Sequence, residues 1–253
     1  MPVNVNPEYP GCPATVSAAV ESGVVLRPAR WGVGDAIAMI AICIALSAVG
    51  GVALRAADAP LPLTVIVSTL LGWVGLAGWP ILVTAIRGNG PRIDLGLRLN
   101  WTDLGMGLVG GVAAWVILAI VALVTLSISG DFTSAAGEVA EDLLAQGNRG
   151  WLIAFALAVG LGAPIVEEIA FRGLFYSALR KRGLHVAWVI GITAVAFAAL
   201  HFEPVRLPLL MAMGVVTGIL RWKTGAIGAP IVAHATVNLP GAVLVAFGLP
   251  PGT

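Results

Sequence analysis

The sequence predicts an all-α, polytopic membrane helical bundle with about eight transmembrane helices, N-in and C-in. Of its 253 residues, 58% are hydrophobic and only 11% are charged, and the mean hydropathy is +0.97. A soluble domain is about 25% charged, so too few polar side chains are present to cover a soluble surface. The charged residues also leave long uncharged runs, at 36–54, 59–86, 104–130 and 150–166.

The uncharged runs predict helices, because they are long and lack the alternation of half-buried strands. The predicted spans are 34–55, 60–86, 104–128, 151–180, 186–200, 207–221, 225–238 and 240–250. Residues 1–30 lack the basic-then-apolar order of a secretory signal and are predicted to form a soluble N-terminal tail. Residues 31–253 are predicted to form a single transmembrane domain, with the catalytic core at about 150–240.

The distribution of Lys and Arg predicts the orientation. With the N-terminus inside, ten of the 14 basic residues fall in cytoplasmic segments and three in outer ones. The ten are Arg27, Arg30, Arg87, Arg92, Arg98, Arg180, Lys181, Arg182, Arg221 and Lys223, and the three are Arg55, Arg149 and Arg206. This excess follows the positive-inside rule. The net charge of +1 gives no indication of a nucleic-acid partner.

The outer loop before the fourth span contains apolar residues at helical spacing, namely Phe132, Ala136, Val139 and Leu143. Acidic residues oppose them, which favours an amphipathic helix on the outer surface. A plain solvated loop is the alternative.

Polar side chains inside the apolar helices are the candidate functional residues, because charges are costly in a bilayer and usually face a protein interior. They are Glu167, Glu168, Arg172, His201, His234 and Asn238. At 1.5 Å per residue, Glu167 lies about 20 Å from the cytoplasmic end of its helix, and His201 about 22 Å from the end of its own. His234 and Asn238 lie about 16 and 22 Å deep on a third helix. Three helices are thus expected to place polar groups in one layer.

Helical spacing distinguishes the two adjacent carboxylates. Glu168 and Arg172 are four residues apart on one face and are expected to form an ion pair. Glu167 is rotated by about 100° and is freer to face a cavity, where a carboxylate can serve as a general base. The alternative is that the ion pair only ties helices together and that the histidines are satisfied polar groups of the core.

Several other chemistries lack their sequence patterns. The His-Glu-x-x-His string of zinc proteases does not occur. The segment Gly32–Asp35 matches the Gly-x-Gly-Asp of intramembrane aspartyl proteases, but it begins the first helix and no second intramembrane Asp is available. The two cysteines make neither a disulfide framework nor a zinc-ligand set.

Three short motifs resemble the CPBP family, which contains type II CAAX prenyl proteases and bacteriocin-processing Abi relatives. Residues 167–172 match Glu-Glu-x-x-x-Arg, 197–201 match Phe-x-x-x-His and 234–238 match His-x-x-x-Asn. They occur in this order on successive predicted membrane helices. The loop 94–98 also resembles this family.

The resemblance implies an intramembrane endopeptidase that hydrolyses a peptide bond in a membrane-associated protein or peptide. Glu167 would be the general base and His201 would help to hold and activate the water. His234 and Asn238 would stabilise the oxyanion, and Glu168 and Arg172 would be the supporting pair. The resemblance leaves two cofactor states open, no metal or a zinc ion on Glu167, His201 and His234.

Two other classes of function remain as hypotheses. One is a non-proteolytic membrane immunity or scaffold module that keeps the pocket for binding. The other is a proton-coupled transporter, because buried Glu, His and Arg also form proton relays, although no inverted repeat is visible. The expected location is a cell membrane, as a multi-pass protein of the bacterial inner membrane.

Overall fold

The computed structural model describes residues 13–250, and within this range the chain is all-helical with no strand. The prediction of an all-α fold is thus confirmed. The helices are α1 (Pro13–Glu21), α2 (Val33–Ala56), α3 (Leu61–Arg87), α4 (Pro91–Asp94), α5 (Trp101–Ser129), α6 (Ala135–Gln146), α7 (Arg149–Lys181), α8 (Val186–Leu200), α9 (Leu207–Thr224) and α10 (Gly228–Ala246). The predicted tail is described from residue 13 onward.

Five of these helices are long and apolar enough to cross a membrane by length and composition, namely α2, α3, α5, α7 and α10. The helix α8 is shorter but also apolar. The chain is therefore a multi-pass membrane protein. Its five long helices show much exposed apolar surface, as expected for helices that face lipid.

The last two predicted spans, 225–238 and 240–250, are in fact the single helix α10. Pro240 was expected to separate them but lies inside the helix. A proline cannot donate to the carbonyl four residues earlier, which is that of Thr236. That oxygen instead accepts a hydrogen bond from Trp115 Nε1 at 3.4 Å. A neighbouring helix thus supplies the missing donor, and a membrane helix can then continue past a proline.

The two ends of α10 lie on opposite faces of the bundle. At its beginning, the Ile227 N–H donates to the Gly96 carbonyl in the loop before α5. Near its end, Val245 belongs to the same apolar cluster as Ala140 and Leu143 of α6. The chain after α10 therefore leaves the bundle on the same face as α6.

The N-terminal segment lies on the other face, beside the loop before α5. The Arg30 N–H donates to the Arg87 carbonyl at the end of α3, and Lys181 Nζ at the end of α7 donates to the Ala29 carbonyl. The two ends of the described chain thus lie on opposite faces of the bundle, whereas the N-in, C-in prediction, which counts α10 as two spans, expects them on one side of the membrane.

Cysteine labelling in a background without native cysteines tests this arrangement. Single cysteines at Glu141 in α6 and at Gly248 after α10 are expected to react from the same side of sealed vesicles. A cysteine at Arg27 is expected to react only from the opposite side. If the cysteines at positions 27 and 248 react from the same side of the vesicles, the single-helix form of α10 is wrong.

The helix α6 confirms the predicted amphipathic segment and corrects one of its contacts. It begins with the Ser134 side chain, which accepts from the Gly137 N–H. Leu143 is buried as expected, but Ala136 is exposed, and Ala140 is the buried residue that joins the apolar cluster with α7 and α10.

Asp94 joins the N-terminal segment to the bundle outside the membrane-spanning helices. Its carboxylate is buried and accepts from Trp31 Nε1 and from the Asn89 N–H, both at 2.8 Å. Burial raises the pKa of the Asp94 carboxyl, while the Asn89 and Trp31 hydrogen bonds and nearby Lys181 oppose the shift.

The raised pKa of Asp94 predicts a pH-dependent effect of Asp94→Asn. A carboxyl group whose pKa is higher in the folded state contributes stability below its unfolded pKa and loses it as the pH rises through the folded pKa. The melting temperature of Asp94→Asn minus that of the wild type is therefore expected to increase from about pH 4 to about pH 8. Melting curves in detergent measure this difference. A difference that stays constant or decreases over this range would contradict the shift.

Candidate active site

Two π-helical segments, Ala158–Gly162 and Ile169–Phe175, flank the predicted carboxylate pair in α7. Glu167 and Glu168 lie between them, in the α-helical stretch Ala163–Glu168. A π-helical turn displaces the regular hydrogen bonds by one residue and is common at functional sites. Here each segment makes a backbone carbonyl available to a side chain from another helix.

Glu168 is the centre of a buried network. It pairs with Arg172, with Nη1 3.0 Å from Glu168 Oε1, and both side chains are fully buried. The same Oε1 is 3.0 Å from His234 Nδ1 on α10. Arg172 Nη2 also donates to the Gly214 carbonyl on α9 at 2.8 Å. The predicted i, i+4 pair is present, and it also holds two further helices.

Glu167 lies beside this network and faces the other nitrogen of His234. Its Oε2 is 3.8 Å from His234 Nε2, and 17% of its side chain is exposed, compared with none for Glu168. Glu168 thus binds Nδ1 of the imidazole, while Glu167 faces Nε2 of the same ring across a longer distance. The rotation expected from helical geometry makes Glu167 the more accessible of the two.

Phe197 on α8 brings the two histidines together. Its ring centroid lies 4.9 Å from that of His201 and 5.7 Å from that of His234. The imidazoles are therefore no farther apart than the sum of these distances, which fits one shared site. The guanidinium carbon of Arg172 is also 4.9 Å from the Phe197 centroid. The buried phenylalanine thus supports three of the polar groups.

The ring nitrogens of the histidines have distinct partners. His201 Nδ1 is 2.8 Å from the Phe197 carbonyl, which can only accept a hydrogen bond. Nδ1 therefore carries the hydrogen, and in a neutral ring Nε2 is left as an acceptor. By the same reasoning His234 Nδ1 donates to the ion-paired Glu168 carboxylate, and its Nε2 faces Glu167.

Asn238 lies one turn beyond His234 and donates from Nδ2 to the Val159 carbonyl at 3.0 Å. This carbonyl is available because of the first π-helical segment. The Ala163 N–H donates to Ala158 instead, and the next residue, Pro164, has no N–H to donate. The bond orients the Asn238 amide and leaves its second Nδ2 hydrogen for another acceptor.

Glu167, His201 and His234, the residues that would hold a zinc ion in the metal-bound alternative, do not form a metal-binding arrangement. Within residues 13–250, no group of three His, Cys, Asp or Glu side chains has suitable geometry. Both nitrogens of His234 face carboxylates, which holds the ring in the Glu network. We therefore assign no step to a metal ion.

Two residues of the network have no role that the sequence alone predicts. Phe197 is the first residue of the Phe-x-x-x-His motif. The sequence predicts Arg221 to be one of the cytoplasmic basic residues, but it is fully buried and its Nε donates to the Arg172 carbonyl at 2.8 Å. The sequence does contain an indication of this burial, because Arg221 continues the face of α9 that carries the buried Gly214, Thr217 and Gly218.

The segment that carries the candidate site resembles a known protein family. Residues 149–240 match the family described as type II CAAX prenyl endopeptidase Rce1-like. The similarity is to a family of proteases and is confined to this segment. The matched segment contains α7 through most of α10, and so all the polar residues of the candidate site. No curated protein and no solved structure matches the chain.

The Rce1-like segment confirms the family predicted from the three motifs. The matched residues include all three motifs, at 167–172, 197–201 and 234–238. The helices α1–α6 lie outside the matched residues. The match to a protease family supports peptidase activity in general.

Proposed function

We propose that this protein is an intramembrane endopeptidase that hydrolyses a peptide bond in a membrane-associated protein or peptide. The observation that carries the proposal is the contact of Glu167 and Glu168 with the two nitrogens of His234, beside His201. It combines an accessible carboxylate with oriented imidazoles. Peptide hydrolysis needs a base for the water and donors for the oxyanion.

Glu167 is the proposed general base, because it is the partly exposed carboxylate and Arg172 is paired with the neighbouring Glu168. A water between Glu167 and His201 would give one proton to Glu167. His201 Nε2, an acceptor in the neutral ring, would hold the second hydrogen of the same water. The water is then oriented for attack on the carbonyl carbon of the substrate.

His234 and Asn238 are the proposed oxyanion donors. With Nδ1–H donated to Glu168, His234 offers a second donor only when Nε2 is also protonated. The Glu168 carboxylate supports that imidazolium charge directly. Asn238 offers its second Nδ2 hydrogen. A single oxyanion donor commonly contributes about 2.7–4 kcal/mol.

We further propose that the N-terminal segment is cytoplasmic, as the Lys and Arg distribution indicates. In a bacterial cell this would be an inner-membrane protein. The substrate would approach from the bilayer, since the segment that carries the site is itself a membrane helix.

Cleavage by the purified protein in proteoliposomes tests the proposal. The probes are a farnesylated peptide ending in a CAAX sequence, the same peptide without the prenyl group, and a panel of single-span membrane proteins. Products are identified by mass spectrometry, with and without a chelator. We expect cleavage that depends on Glu167 and persists with the chelator. An immunity or scaffold role would instead give no product while the protein keeps its biological effect after loss of Glu167.

A further inference from the structure

Arg221 is a buried cation in the last turn of α9. Its side chain is fully buried, although Lys223, two residues later, is exposed. Its Nε donates to the Arg172 carbonyl at 2.8 Å, and its guanidinium carbon is 5.0 Å from the Tyr176 ring centroid. The residue therefore packs against the second π-helical segment of α7, which carries Arg172.

The π-helical geometry explains why the Arg172 carbonyl can take this bond. In an α-helix the N–H of Tyr176 would donate to the Arg172 carbonyl. Here it donates to the carbonyls of Phe171 and Gly173 instead. Arg221 supplies a donor to this oxygen from another helix. Without it, a carbonyl in the apolar interior would lose a hydrogen bond, which is costly.

The helix α9 consequently holds Arg172 at two points. Arg221 holds its backbone oxygen, and the Gly214 carbonyl, two turns earlier, accepts from its side chain. The same side chain pairs with Glu168, which in turn binds His234 Nδ1. Three consecutive contacts thus connect Arg221 to an imidazole of the candidate site.

A glycine allows the loop before α5 to close over Arg221. Gly96 has a φ of +71°, and a Cβ atom there would lie 3.2 Å from Arg221 Nη2. The Gly96 carbonyl also accepts from the Ile227 N–H at the start of α10. Arg221 is therefore enclosed where α7, α9 and the beginning of α10 meet.

We propose that Arg221 is a positioning residue of this active site, which through Arg172 and Glu168 orients His234. Only the expected effect on catalysis rests on the proposed function, and the expected effect on His234 does not. Arg221 is assigned no contact with substrate. Its loss is expected to affect the chemical step more than substrate binding.

Two substitutions of Arg221 and one control test the proposal. Arg221→Met keeps the length of the side chain without its donors, and Arg221→Lys keeps a cation with one ammonium donor. Lys223→Met removes a neighbouring exposed cation from the same helix end. We expect Arg221→Met to lower kcat about 10²-fold, the effect of misplacing a catalytic group by about 1 Å, with KM nearly unchanged. Arg221→Lys should recover part of kcat, and Lys223→Met should match the wild type.

A spectroscopic measurement follows His234 independently of activity. The chain has three histidines, so the ring nitrogens of ¹⁵N-histidine-labelled protein can be assigned by replacing each one with Gln. Arg221→Met is expected to shift the His234 Nδ1 signal, and Lys223→Met is not. If the methionine variant does not fold, Arg221→Lys carries both measurements, with kcat expressed per folded molecule.

Wild-type kcat in a folded Arg221 variant, or a loss of kcat with an unmoved His234 signal, would overturn the positioning role. A wild-type protein that cleaves no probe, but whose His234 signal still moves in Arg221→Met, would reject the protease function and keep the structural connection. The two failures are therefore distinguishable.

Discussion

Replacing Glu167 by Gln is expected to lower the cleavage rate by about 10²–10⁴-fold, the usual cost of losing a general base. Glutamine keeps the size and can still hydrogen-bond, but it cannot accept the proton of the water. Glu167 is partly exposed, and its Oε2 is 3.8 Å from His234 Nε2, which is longer than a hydrogen bond. Folding should therefore be preserved. Turnover and melting temperature are measured on the same detergent-solubilised sample.

Glu141→Gln is the matched control, since Glu141 is an exposed carboxylate on α6, away from the network. It should leave both turnover and melting temperature unchanged. Full activity of Glu167→Gln would reject the glutamate-base mechanism. If Glu167→Gln and Glu168→Gln both keep the full biological effect without any cleavage, the scaffold function is correct instead.

Glu168→Gln should mainly reduce stability, in contrast to Glu167→Gln. It removes the negative partner of Arg172, whose side chain is fully buried. Breaking a buried ion pair in this way commonly costs about 3–5 kcal/mol, because one charge remains without compensation. A clear loss of melting temperature and expression is therefore expected. Activity should also fall, since His234 Nδ1 loses its carboxylate partner.

The double variant Glu168→Leu with Arg172→Met separates these two effects. Replacing both members of a buried pair by apolar residues is often neutral or stabilising. Much of the melting temperature should therefore return, while activity should remain low because His234 is no longer oriented. A double variant that recovers activity together with stability would show that the pair has only a structural role.

Much of the fold was predictable because a bilayer constrains sequence so strongly. Uncharged runs of sufficient length predict helices without knowledge of their neighbours, and α2, α3, α5, α7 and α8 lie close to their predicted positions. The prediction failed at Pro240, where local sequence indicates a break. The donor that allows α10 to continue, Trp115, comes from a helix more than a hundred residues earlier in the chain.

Part of the candidate site was also predictable from spacing alone. The four-residue separation of Glu168 and Arg172 predicts their ion pair, and the rotation of Glu167 away from it follows from the same geometry. Similar depths on three helices predict that His201 and His234 lie in one layer. The structure brings both rings onto Phe197, but the catalytic roles of these residues remain predictions.

By itself, the sequence determined the membrane-spanning class, the helical segments and the chemical groups available at the site. Each depends on composition or on spacing within one helix. Only the tertiary structure decided the single-helix form of α10, the partner of each histidine nitrogen and the burial of Arg221. The continuation of α10, the placement of His234 and the burial of Arg221 depend on contacts between helices distant in the chain, and Trp115 and Arg221 make these contacts at backbone carbonyls of α10 and α7.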